Sequence, residues 1–456
     1  MVTTSVYIQN NYIEKMETMM KTNNDFKMTL IPPSECSEAA DLEIRVAVFN
    51  DSATKQNAVF FIYVDEFDQT GLVSNCKIES DPHKWAFHNF KWKTTGKAGL
   101  HIVYAKVIIN GKTSVKSCPV NVIKSGTRTL EKISGAWVGI NHWCEKESKY
   151  WKDEIKEMTD EDWRQIVRGM NEIDMNTIVI QEVFRNQEYV GKHNIEKNGY
   201  KGIPFYPSKL YPGKMNIAAV DPIEAILDEA DKTGSYVLPG VGLYAWFDYT
   251  EGSLEWHKKI AEELWDMYGH HKSFYGWYVS EEGPGDLGGS DTRRQEIVHF
   301  FKELKAFTRK LCPDKPVMLA PNCYHVPAGG EYWPKLLKNV DILCPFAFHR
   351  MPEDDISPKE SANLLQKLCD DAGCHMWLDM EVFLFENGVS LYPRPIEQII
   401  EDMKMLPNFE KILCYQYPGL MNAPWARKKP GGIRTVKLFN DYKSFLKKDH
   451  SDKVLA

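Results

Sequence analysis

Residues 274–284 read FYGWYVSEEGP. An apolar run ends abruptly in two acids and a Gly-Pro pair. A strand buried on both faces is a near-continuous apolar run. A barrel places its reacting groups at the carboxyl ends of such strands. Seven more segments share this build: GAWVGINHW (135–143), TIVIQEV (177–183), SYVLPGVGL (235–243), PVMLAPN (316–322), DILCPFAF (341–348), HMWLDMEVF (375–383) and KILCYQYPG (411–419). Helical periodicity separates them. Trp163, Ile166, Val167 and Met170 recur at i, i+3, i+4, i+7, and Ile297, Phe300, Phe301, Leu304 and Phe307 follow the same rhythm. Ile396, Ile399, Ile400 and Met403 repeat it, and Val436, Phe439, Tyr442 and Leu446 close the chain. Asp221-Pro222 with Glu224 is a capped helix start, and Thr159 with Asp162 a weaker one. Eight strand–helix units specify a (β/α)₈ TIM barrel, an α/β fold. An open doubly wound sheet would carry a glycine-rich phosphate loop after its first strand. Here that strand runs into Asn141-His142-Trp143-Cys144.

Upstream the rhythm changes. LEIRVAVF (42–49), AVFFIYV (58–64), KWAFHNFKW (84–92), GLHIVYAKVII (99–109) and PVNVI (119–123) read as strands, with Asn110-Gly111 as a hairpin turn. Several strands over about 100 residues predict an all-β immunoglobulin-like sandwich. The polar segment KSGTRTLEK (124–132) reads as the linker. The expected division is a sandwich over 1–128 and a barrel over 129–456. The sandwich offers Trp85 and Trp92 as sugar-stacking side chains, but packing is the favoured role.

The 456 residues carry a net charge of −7, which argues against a nucleic-acid partner. No run of 18 apolar residues crosses a membrane, and residues 1–24 lack a signal-type apolar core. The chain as it stands reads as cytoplasmic, or as secreted or periplasmic had a signal been removed. Its ten cysteines form no C-x-x-C pair and read as buried thiols. Oligomeric state is not legible.

The strand ends carry Asn141 and His142; Gln181, Glu182 and Arg185; Tyr244 and Trp246; Ser280, Glu281 and Glu282. Asn322, Tyr324 and His325 follow, then His349 and Arg350, Asp379 and Glu381, and Gln416 and Tyr417. Such a mouth is rich in carboxylates and aromatics. Two facing acids are what glycosidic cleavage requires: one protonates the leaving oxygen, the other attacks the sugar carbon. Glu182, Glu281, Glu282, Asp379 and Glu381 are the strand-end carboxylates available for such a pair. Asn141, His142, Glu182, Trp246, Glu281, Asn322, His349, Asp379 and Tyr417 are the expected substrate contacts. Glu182 also reads as an ion-pair partner of Arg185. No cofactor is expected. Neither H-x-H nor H-E-x-x-H occurs, so no metal site is expected, and His270-His271 reads as a helix end. GPGDLGGSD (283–291) reads as a flexible lid, and ARKKPGG (426–432) as a solvated loop or a contact for an acidic sugar.

The segment GWYVSEEGP (276–284) resembles the GWH-x-(S/D)-N-E pattern of the β-galactosidase-type members of clan-A glycoside hydrolases, and WLDMEVF (377–383) resembles their nucleophile strand. That resemblance implies Glu282 as acid/base and Glu381 as nucleophile of a retaining glycosidase. It puts Glu281 where the family has an Asn that contacts the sugar 2-hydroxyl. The barrel also resembles uncharacterised bacterial glycosyl hydrolase-like proteins with a β-sandwich in front. The departure at Glu281 leaves Glu281 open as the acid. It also keeps open a non-catalytic carbohydrate-binding barrel; a third reading, a metal-assisted barrel hydrolase or lyase, has the absent metal spacing and phosphate loop against it.

Overall fold

The computed structural model describes residues 26–186, 202–210, 213–242 and 248–455. The chain divides into two compact units, 1–130 with 309–315 and 131–308 with 316–456. The segment 309–315 was not expected in the first unit; sequence-local patterns carry no sign of which core a mid-chain turn joins.

The second unit is a closed barrel of eight strands. They are β1 (Ile133–Val138), β2 (Thr177–Ile180), β3 (Tyr236–Val241), β4 (Trp277–Gly283), β5 (Val317–Pro321), β6 (Ile342–Leu343), β7 (His375–Glu381) and β8 (Lys411–Tyr415). Each pairs in parallel with the next, and β8 returns to β1. Seven of the eight lie within the predicted segments, most ending earlier, and β1 begins at Ile133, two residues before its segment. β6 is the shortest because Pro345 offers no N–H to the ladder and Ala347 turns to φ +74°. Between Val279 and Gly283 the register of β4 against β5 shifts, a bulge at the strand end that carries both acids. Bulges of this kind re-aim side chains beside sites.

The helices begin as their sequences dictate. Pro222–Thr233 opens on Asp221, whose carboxylate accepts from the Glu224 N–H at 3.0 Å, and closes on left-handed Gly234. Asp160–Asn171 opens on the Thr159/Asp162 capping box. Asp291–Leu311, Ile396–Met405 and Ile433–Leu455 lie over the other predicted periodicities, whereas Pro358–Ala372, opening on the Ser357/Glu360 capping box, was not among them. No described helix is long and apolar enough to cross a membrane.

The first unit holds eight described strands. Phe26–Ile31, Leu42–Phe49 and Trp85–Trp92 form one antiparallel sheet. Glu35–Ser37, Lys112–Ile123, Gly99–Ile109, Gln56–Val64 and Leu72–Ser80, in that spatial order, form the other. Both sheets contribute to one apolar core, including Ile44, Val46, Phe60, Ile62, Val103 and Val120. The Asn110-Gly111 hairpin forms, with both residues at positive φ. Leu72–Ser80 escaped the sequence reading because it is an edge strand with much of one face in solvent.

Candidate active site

A cavity of about 200 Å³ opens at the carboxyl ends of the barrel strands. Glu282, Asp379, Glu381, Arg350, Gln181 and Glu147 supply its polar lining. Trp137, Trp143, Tyr278, Phe346, Phe383, Phe385 and Tyr415 supply most of the rest. Tyr278 packs edge-on against Trp137, with centroids 5.7 Å apart.

Glu381 ends β7 and is 4% exposed. Arg350 Nε donates to its two carboxylate oxygens at 2.9 and 3.0 Å, and a second guanidinium nitrogen donates to Oε1. His349 Nδ1 stands 2.7 Å from Oε2. Burial pushes the Glu381 carboxyl up, but the hydrogen bonds and charges of His349 and Arg350 outweigh it and hold the group below its ordinary value. Glu381 is therefore an ionised carboxylate held in a fixed orientation.

Asp379 lies two residues earlier on the same strand, hence on the same face. It is 5% exposed, and its Oδ1 has no hydrogen-bond partner among the described residues. Burial first, then the charges of Glu381 and Glu282, push its carboxyl well above the usual range. The pKa values of two carboxyls on one strand are thus pushed in opposite directions, the pattern that separates acid from base roles.

On β4, Glu282 shares the lining with Tyr278, whereas the neighbouring Glu281 is fully buried and not part of it. The Tyr249 hydroxyl donates to both backbone carbonyls, at 3.1 Å to Glu281 and 2.9 Å to Glu282. Asn322 secures the following loop: its Oδ1 accepts from the N–H groups of Gly285 and Tyr324 at 3.0 and 3.1 Å. The segment expected as a lid is pinned in this way, and Leu287 within it is buried.

The remaining expected contacts fall outside the lining. His142 is buried, with Nε2 2.9 Å from the Glu147 carboxylate and Nδ1 3.2 Å from the Tyr415 hydroxyl. Burial lowers its pKa, so a neutral ring donates to one and accepts from the other. It positions two lining residues without lining the cavity itself. Glu182 is buried and bonded to Arg185, which also donates to the backbone carbonyls of Asn141 and His142. Tyr417 is buried against Gly169 and Ala423. Tyr244 and Trp246 lie outside the described residues. Arg427 and Lys428 of the basic cluster pair with Asp162 and Glu157, and Lys429 bonds the Ala426 carbonyl. Away from the cavity, donor atoms of Glu224, His270 and His271 lie within 4.8 Å of one another. Both ring nitrogens of His271 already face carboxylates, Glu224 at 3.2 Å and Asp231 at 3.0 Å.

The sequence reading missed Glu147, Phe383, Phe385 and Leu391. Phe385 and Leu391 sit on a hairpin, Phe383–Glu386 with Ser390–Pro393, that turns at Asn387-Gly388. Asn-Gly flanked by apolar residues is a strong hairpin signal, so this part was within reach. Glu147 follows from tertiary packing alone.

The fold and the cavity define a barrel protein with a carboxylate-lined, aromatic-walled mouth. A family model described as a domain of unknown function (DUF4434) matches residues 133–428, and the chain belongs to that family. A stretch of 135 residues is 27% identical to the β-glucuronidase of Felis catus, covering 29% of this chain. The chain spans 19% of that relative's length. Among solved structures, a Bacteroides thetaiotaomicron protein provisionally named an α-L-fucosidase matches with a TM-score of 0.48 at 15% identity, over 70% of this chain and 96% of its own. A β-galacturonidase from Eisenbergiella tayi matches with a TM-score of 0.41 at 10% identity, over 89% and 69%.

Proposed function

We propose that this protein is a retaining glycoside hydrolase in which Glu381 attacks the anomeric carbon and Glu282 serves as acid/base. The observation that carries the reading is one cavity lined by both carboxyl groups, with Glu381 held ionised by Arg350 and His349. A nucleophile must be ionised, and its partner must reach the leaving oxygen from the same cavity. The partial identity to β-glucuronidases agrees with this class of reaction. Full burial of Glu281 favours Glu282 as the acid. The aromatic walls suit the apolar faces of a sugar ring. The amino-terminal unit is read as an immunoglobulin-like sandwich that precedes the barrel in the chain.

Assay against chromogenic glycosides of both anomers tests the proposal. Glu381→Gln should lower kcat by at least about a thousandfold with the fold intact. Glu282→Gln should hurt poor leaving groups most. Equal losses on activated and unactivated substrates would remove Glu282 from the acid role. A second reading, carbohydrate binding without cleavage, is favoured by the engagement of both Glu381 oxygens. Sugar binding with no turnover of any glycoside would select it.

A further inference from the structure

We propose that Asp379 and Gln181 form a polar floor that receives the hydroxyl groups of an uncharged sugar ring, and that the cavity selects neutral glycosides over uronides. The inference rests on the carbohydrate reading of this cavity and names its substrate class. Asp379 and Gln181 both line the cavity, and they are 5% and 7% exposed. Asp379 Oδ1 and Gln181 Oε1 have no hydrogen-bond partner among the described residues. Buried polar atoms are normally paired, and those aimed into a cavity take their partners from what fills it. The two residues come from different walls, after β2 and on β7. Asp379 shares its strand face with Glu381, so a ring presented to Glu381 also meets Asp379.

The chemistry of the partner follows from the atoms. An amide oxygen accepts only, so it calls for a donor. Burial and the charges of Glu381 and Glu282 favour the neutral form of the Asp379 carboxyl, which in that form donates one hydrogen bond and accepts others. A sugar hydroxyl donates and accepts, and answers both. A uronate carboxylate offers acceptors alone, so it answers an Asp379 donor but not the Gln181 amide oxygen, and it brings negative charge to a cavity that already holds Glu147, Glu282 and Glu381. Among the described lining residues Arg350 is the one Lys or Arg cation, and Glu381 occupies it. A site built around a hydroxyl rejects an analogue that cannot pair with it far more strongly than an apolar pocket rejects a misfit.

The experiment pairs binding with turnover on the full chain. Calorimetry would compare D-glucose, D-galactose, D-mannose and L-fucose with D-glucuronate and D-galacturonate. Matched nitrophenyl glycosides and glycosiduronides of both anomers would be assayed alongside. At least one neutral sugar should bind about tenfold or more tightly than the uronates. Asp379→Ala should weaken that sugar by about tenfold or more, and Asp379→Asn by less, since an amide keeps part of the hydrogen bonding. Gln181→Leu, which preserves bulk, should also weaken it, and it serves as the probe should the alanine variant fail to fold. Equal or tighter uronate binding, a neutral affinity indifferent to Asp379 and Gln181, or no binding by any of these sugars would overturn the inference. Asp379-dependent binding of a neutral sugar without cleavage leaves it standing while hydrolysis falls. Faster cleavage of a uronide than of its neutral counterpart removes it while hydrolysis stands.

Discussion

Arg350 decides what Glu381 is able to do. The carboxylate is buried, and burial alone favours its neutral form. The guanidinium and the His349 ring reverse that preference. In Arg350→Ala burial prevails, and the Glu381 pKa rises. We expect kcat/KM to fall by about a hundredfold near neutrality. The acidic limb of the pH–rate profile should move to higher pH, and a limb that stays put would show that Arg350 does not tune the proposed nucleophile. Asp379 carries the opposite linkage. Its folded-state pKa is raised, so the stability it confers is complete below the unfolded value and lost as pH rises through the folded one. Asp379→Asn mimics the protonated form at every pH. It should raise the melting temperature at pH 7 by about 2–4 °C and flatten its fall with rising pH, as seen by calorimetry. A melting temperature that drops equally at pH 5 and pH 8 would mean that the site holds no charge strain to relieve.

The elements around Glu282, the proposed acid/base, are fixed by close approach. A Cβ on Gly285 would lie 2.1 Å from the Tyr324 carbonyl oxygen, so Gly285→Ala must push the loop after β4 away from Asn322. We expect a loss of about 1–3 kcal/mol in stability and a lower kcat, because the loop abuts Glu282. Asn322→Ala should do the same by leaving two backbone N–H groups unpaired. Thermal melts with kinetics on both variants check this, and unchanged kcat in both would detach the loop from catalysis. The two elements show what a sequence reveals. β4 and β7 were legible because strands buried on both faces are written as continuous apolar runs, and their polar ends stand out. The helix starts at Asp221 and Thr159 were legible because capping is local chemistry. Asn322 was legible as a strand-end polar residue, but not as a clamp on a loop 37 positions away in sequence. The partnership of Arg350 with Glu381 was hidden for the same reason. Nothing in the chain says which of many cations meets a given carboxylate until the barrel closes. The hairpin at Asn387-Gly388 is different, since its signal was in plain view beside the β7 strand.

At the scale of the molecule, every lining residue of the cavity belongs to the barrel unit, while residues 309–315 belong to the other. That short segment carries Asp314, which is fully buried. Its Oδ2 accepts from the Thr29 hydroxyl at 2.6 Å and stands 3.5 Å from Lys315 Nζ, and its Oδ1 accepts from the Cys312 thiol at 2.9 Å. Burial pushes the Asp314 carboxyl up, but Lys315, Cys312 and Thr29 hold it below its ordinary value. The stability it supplies is therefore present above the unfolded pKa and lost as pH falls through the folded one. Asp314→Ala leaves Thr29 and Lys315 without this partner inside the amino-terminal unit, at a cost of about 3 kcal/mol. Because that unit has its own core, its unfolding transition should fall by roughly 10 °C at pH 7 and by less at pH 3. Turnover of a chromogenic glycoside at 25 °C should hold, since no cavity residue is touched. Activity lost in step with that transition would mean that the barrel depends on the folded state of the other unit.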